Sequence, residues 1–128
     1  MTGRDLLESG IQNPQGMDGM SGSFNAWYDA DVEKHAFAYS EITGYGITSL
    51  LFLNNMQRDP ILLERAITAG NWLVDSALDR KTGGIMCRLE SGHDRFLQRV
   101  CTFDNGMCLN GLVNLFRATG DERYLNAG

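Results

Sequence analysis

The feature that most constrains this chain is a segment that occurs twice. Residues 44–66 read GYGITSLLFLNNMQRDPILLERA, and residues 106–128 read GMCLNGLVNLFRATGDERYLNAG. Gly44 and Gly106, Leu50 and Leu112, Leu53 and Leu115, Asp59 and Asp121, and Leu63 and Leu125 all stand 62 positions apart. Ile47 with Leu109 and Leu51 with Val113 add apolar pairs at the same offset. The identities fall on an apolar stripe and on a turn, where a repeated supersecondary unit is constrained. A period this long accommodates one helical hairpin and a sizeable loop, so the chain reads as part of a repeat architecture. The second copy ends where the first enters a helix running to about Leu78, and no capping sequence closes it, so a fragment of a longer protein is expected.

Helical periodicity supports this assignment. The first strong helix is expected over Ser40–Asn55, with Ile42, Tyr45, Ser49, Phe52 and Met56 on one stripe and Ile47, Leu50, Leu51 and Leu53 covering most of the rest. A helix apolar on most sides is expected to be buried on most sides. Asp59 is the expected N-cap of a second helix, Pro60–Leu78, with Pro60 at its first position, where a missing N–H costs nothing. A stripe of Leu63, Ala66, Gly70, Leu73 and Ala77 makes this an outer helix that packs closely on the first. The third helix, Asn105–Ala118, repeats the first. The turn after it repeats as well, with Asp121 as N-cap.

The connections differ in kind. Residues 1–9 read as the tail of a helix anchored by Leu6 and Leu7. Residues 10–31 are too rich in glycine for a regular helix, yet Phe24, Trp27 and Tyr28 imply that this loop packs against something. Ile85–Leu89 and Phe96–Phe103 read as two short strands of a small hairpin turning across Glu90–Asp94.

Composition narrows the partners. A net charge of −5 without a basic stripe argues against nucleic acid as a partner. No apolar run approaches the roughly 20 residues needed to span a bilayer, so no membrane insertion is expected. The start, MTGRDLLESG, has no secretory h-region, which points to a cytoplasmic location. Cys87, Cys101 and Cys108 lack metal-type C-x-x-C spacing, and they read as free thiols of a reducing compartment. His35 and His93 have no second ligand at helical spacing, so no metal site is expected. No cofactor is expected either.

The order inner helix, outer helix, loop, inner helix, outer helix gives an all-α fold of α/α hairpins over residues 1–128, with the small β-hairpin in the 83–103 loop. Short turns at one end and long loops at the other suit closure into an (α/α)6-type toroid; six such units would need about 370 residues.

The strings FAYSEITGYGITSLL with its D-x-x-L-L-E-R-A turn, and FDNGMCLNGLVNLFRATGDERYLNAG, resemble the six-hairpin glycosidase-like α/α toroids. That group includes N-acylglucosamine 2-epimerase-type enzymes, unsaturated glucuronyl hydrolases and polysaccharide-biosynthesis proteins. The motifs F-D-x-G and T-G-D-x-x-Y-L carry the likeness over residues 10–128. The resemblance implies a central cavity faced by the long loops and the inner-helix starts.

Glu41 and Asp104 lie near two such starts, and a carboxylate at each is the arrangement of a general acid and base in glycoside chemistry. Trp27, Tyr39 and Tyr45 are the candidate stacking platforms for sugar rings. Asp29 and His35 are candidates for contacts to hydroxyls, and Arg99 for contact with a uronate or phosphate. The plainer alternative makes Asp104 a helix N-cap and Glu41 a complement to the helix dipole.

Three functions fit: a glycoside hydrolase or sugar epimerase acting on polysaccharide or uronic-acid-containing sugars; a non-catalytic glycan-binding or polysaccharide-biosynthesis accessory protein; and, ranked last, a terpene-cyclase- or prenyltransferase-like toroid. A carbohydrate ligand is the expected partner. Isolated hairpins of a ring would expose apolar flanks, so self-association is expected.

Overall fold

The computed structural model describes residues 2–14, 19–89 and 99–127. Among the described residues, five α-helices carry the fold: α1 (Gly3–Glu8), α2 (Ser40–Gln57), α3 (Pro60–Trp72), α4 (Thr102–Thr119) and α5 (Glu122–Asn126). Four two-residue strands among the described residues form two antiparallel pairs. Strand β1 (Tyr28–Asp29) pairs with β2 (Lys34–His35), and β3 (Ala38–Tyr39) pairs with β4 (Arg88–Leu89).

The two copies of the repeated segment occupy matching elements. Helices α2 and α4 each have 18 residues, and their first residues, Ser40 and Thr102, keep the sequence offset. Both end on a left-handed residue, Arg58 and Gly120, whose N–H bonds back to the helix. Both turns then deliver an Asp N-cap. Asp59 accepts from the Ile61 N–H at 3.1 Å and Asp121 from the Arg123 N–H at 3.0 Å, each satisfying a donor the helix itself leaves unpaired. Pro60 opens α3 as its fixed φ favours.

The core lies where α2 contacts α3 and α4. Ile47 and Leu50 of α2, Leu62, Ala66 and Ala69 of α3, and Cys108, Leu112 and Leu115 of α4 are all buried in it. The α2–α4 crossing is close because two glycines meet there. A Cβ on Gly44 would stand 2.6 Å from the Met107 carbonyl oxygen, and one on Gly111 would stand 2.8 Å from that of Gly44. Tyr124, at the start of α5, fills the slot that Leu62 fills in α3.

The apolar stripe Tyr45–Phe52–Met56 behaves differently from expectation. It faces outward, with Phe52 63% and Met56 69% exposed. Ile47 and Leu50, by contrast, point into the core. The second helix is also not α-helical to Leu78: Leu73–Ala77 widen into a π turn, and Leu78 leaves it extended to bridge Ile85.

The expected strand over Phe96–Phe103 is not formed at its described end. Arg99–Cys101 have no regular structure, and Thr102 and Phe103 are already helical. Asn105 supplies the reason. Its side-chain amide accepts from the Ile85 N–H at 2.8 Å and donates to the Ile85 carbonyl at 2.9 Å. The peptide-like bonds that a second strand would have made to Ile85 are thus taken by an amide on the helix. β4 pairs instead with β3. The expected turn across Glu90–Asp94, and His93 within it, lie outside the described residues.

Candidate functional site

The long loop before α2 is held by its own polar groups. Asn13 and Asn25 pair through their side-chain amides at 3.0 and 3.1 Å. The Phe24 N–H donates to Thr43 Oγ1 at 2.9 Å, and Trp72 Nε1 donates to the Gly19 carbonyl at 2.8 Å. These bonds satisfy buried groups that would otherwise be costly and tie the loop to α2 and α3. Phe24 is buried against Gly46, which places a glycine where any Cβ would strike the ring.

With the loop anchored, its aromatics form a row. Trp27 stands edge-on to Phe37 at 5.1 Å between ring centres, and Phe37 stands edge-on to Tyr39 at 5.7 Å. Trp27 is exposed and Tyr39 half-buried. At the inner end of the row, the Tyr39 hydroxyl donates to Asp104 Oδ2 at 3.1 Å. Burial first, then the bond and charge of Asp104, then those of Glu41 hold the Tyr39 hydroxyl well above its usual pKa. Tyr39 thus sits in the field of both candidate carboxylates.

Asp104 is not an N-cap. Helix α4 starts at Thr102 behind Cys101, so Asp104 falls in the first turn, buried, with its carboxylate turned onto Tyr39. Glu41 holds a similar place in the first turn of α2 and is half-buried. The structure therefore brings Tyr39, Glu41 and Asp104 into one neighbourhood.

The remaining candidates lie elsewhere or act locally. Asp29 accepts from the Asp31 N–H at 3.0 Å and from Val32 at 3.4 Å, closing the β1–β2 turn. His35 stacks edge-on with Tyr28 at 5.3 Å, and its buried Nδ1 has no hydrogen-bond partner among the described residues. Tyr45 points outward from α2. Arg99 contributes its backbone: its carbonyl accepts from the Cys87 N–H at 3.0 Å and from Cys87 Sγ at 2.8 Å.

Three members of this neighbourhood, Phe37, Cys87 and Cys101, are not among the site residues expected from the sequence. Phe37 links Trp27 to Tyr39, and its alternation with Tyr39 along an extended segment was the available signal. Cys87 and Cys101 meet with their sulfurs 3.3 Å apart beside Asp104, although they are distant in sequence. Burial above all, with Cys101 and Asp104 adding, pushes the Cys87 thiol up to about 12.

A concavity lies at the opposite end of the same helix pair. A groove of about 420 Å³ is lined by Thr48, Leu51, Phe52, Asn55, Asn114 and Arg117, close to the short turns. It contains none of the candidate residues. Among the described residues, no helix is long and apolar enough to cross a membrane. The chain matches no protein-family model and no curated protein sequence.

Proposed function

We propose that the chain is part of an α/α-toroid protein that acts on carbohydrate, as a glycoside hydrolase or sugar epimerase on polysaccharide or uronic-acid-containing sugars. One observation carries this reading: the aromatic row Trp27–Phe37–Tyr39 ends on a hydroxyl that bonds Asp104 and lies in the field of Glu41. Aromatic faces suit the C–H faces of sugar rings, and two carboxylates flanking a polar centre suit proton transfer at a glycosidic oxygen or a ring carbon. In this reading Glu41 is the proton-transfer group and Asp104 positions Tyr39. Matching hairpins at a constant offset support placing both carboxylates at the cavity end of adjacent ring units.

A non-catalytic glycan binder is the second reading. The outer part of the row, with Trp27 and Tyr28 both exposed, favours it, because stacking platforms need no proton-transfer group.

The test is long incubation with uronic-acid-containing and neutral oligosaccharides, followed by mass spectrometry and NMR of the products. Hydrolysis adds one water across the cleaved bond, whereas epimerisation keeps the mass and inverts one carbon. Either product, lost in Glu41→Gln, supports the enzyme. Saturable glycan binding without product supports the binder, and the absence of both binding and product overturns the carbohydrate reading.

A further inference from the structure

Cys87, Cys101 and Asp104 form a donor set that the carbohydrate reading does not use. Their ligand atoms all lie within 4.8 Å of one another. Separate elements bring them together. Cys87 precedes β4 and is held by its N–H bond to the Arg99 carbonyl. Cys101 is the residue on which α4 begins, and Asp104 follows it by three positions, so both side chains project from the same turn. Tyr39, the repeat counterpart of Cys101, meets the cluster from the entry of α2 through its bond to Asp104.

Among the described residues, no cation pairs with the buried carboxylate of this cluster. Asp104 is 5% exposed, and the ion pairs among the described residues, Arg4–Glu8 and Arg123–Asp121, do not involve it. A buried carboxylate needs hydrogen bonds or a cation to offset its desolvation, and among the described residues its polar neighbours include a phenol and two thiols. Two sulfurs and one carboxylate oxygen are the donors that a borderline-soft divalent ion prefers.

We propose that Cys87, Cys101 and Asp104 bind a divalent, thiophilic metal ion of the zinc class. The geometry is near what such an ion requires. Zinc–sulfur bonds of about 2.3 Å in a tetrahedron set the sulfurs roughly 3.8 Å apart. The sulfurs at 3.3 Å need to open by only a few tenths of an ångström. Binding converts M²⁺, two thiols and one carboxylate into a dithiolate–carboxylate complex of charge −1, with two protons released to solvent. Three protein ligands leave one position for an exogenous group, the arrangement of open rather than closed zinc sites. Tyr39 then serves as the outer hydrogen bond that orients the Asp104 carboxylate. The site stands independently of the carbohydrate reading: a metal there makes Asp104 a ligand and leaves Glu41 as the free carboxylate.

The test uses the whole chain, reduced and stripped of metal, titrated with Co²⁺ under anaerobic conditions. The expected result is a thiolate-to-cobalt charge-transfer band with tetrahedral ligand-field bands, saturating at one ion per chain and abolished by Zn²⁺. Cys87→Ser and Cys101→Ser each lose the charge-transfer intensity, and Asp104→Asn weakens binding by roughly 10-fold or more. Cys108→Ser keeps the spectrum, because Cys108 Sγ is turned onto the Ser40 carbonyl at 3.2 Å. Cys101 is only partly buried, so Cys101→Ser decides the matter should Cys87→Ser fail to fold. Absence of the band in the reduced wild type overturns the proposal, as does an unchanged band in Cys101→Ser. A Cys87–Cys101 pair that oxidises to a disulfide but takes up no Co²⁺ when reduced overturns it too.

Discussion

The hydroxyl of Tyr39, at the entry to α2, donates to Asp104 Oδ2 in the first turn of α4 at 3.1 Å, joining residues 65 positions apart. This bond ties the entries of the two repeated helices together and gives a buried carboxylate one donor. Tyr39→Phe removes the donor and leaves Asp104 short of a partner, so it is expected to destabilise the chain by about 1–3 kcal/mol. Urea denaturation of Tyr39→Phe beside the wild type checks this. A midpoint equal to the wild type would show that the bond adds nothing.

Repeat-equivalent glycines should respond in opposite directions. Gly44 meets the Met107 backbone, so Gly44→Ala forces α2 and α4 apart and should cost about 1–3 kcal/mol. Gly106, its counterpart in α4, has nothing within 4 Å of where a Cβ would stand. Gly106→Ala should therefore stabilise by about 0.5–1 kcal/mol through helix propensity. Thermal melts of the two variants decide the point, and equal shifts would contradict the packing described.

Sequence periodicity locates the helices because their signals are local. Asp59, Pro60 and Asp121 act on the helix ends beside them, and the structure places them there. What joins the site is non-local. Nothing near Cys87 signals Cys101, and nothing near Tyr39 signals Asp104. Asp104 has the look of an N-cap because Asp is favoured at caps, yet α4 begins behind Cys101, three residues earlier, which makes no side-chain cap bond. The stripe through Phe52 and Met56 reads as buried because periodicity reports apolarity, not what stands opposite it. Asn105 is a third case: an amide that replaces a strand leaves no pattern in hydropathy.

Alkaline pH should loosen the fold. Burial raises the Cys108 thiol from 9.0 to about 12, and Cys87 shifts likewise. The folded chain holds these protons more tightly than the unfolded chain. The stabilisation is therefore complete below the unfolded value, 9.0, and is lost as pH rises toward about 12. The Tm of the reduced, metal-free chain should fall across that window, and Cys108→Ala should flatten the fall. A Tm independent of pH there would contradict the burial of these thiols.

The outward stripe of α2 should promote association. Phe52 and Met56 place adjacent apolar side chains in solvent, a surface that drives self-contact. Sedimentation velocity should show mass rising with concentration, and Phe52→Ser with Met56→Ser should reduce it. A wild-type chain that sediments as a monomer at every concentration would show that this face stays bare.

The most direct test of the carbohydrate reading is an NMR titration of the labelled chain with a uronic-acid-containing oligosaccharide. Shifts concentrated on Trp27, Phe37, Tyr39, Glu41 and Asp104 are expected. Shifts confined to the groove around Thr48, Asn55 and Arg117, or no shifts at saturating ligand, would contradict it.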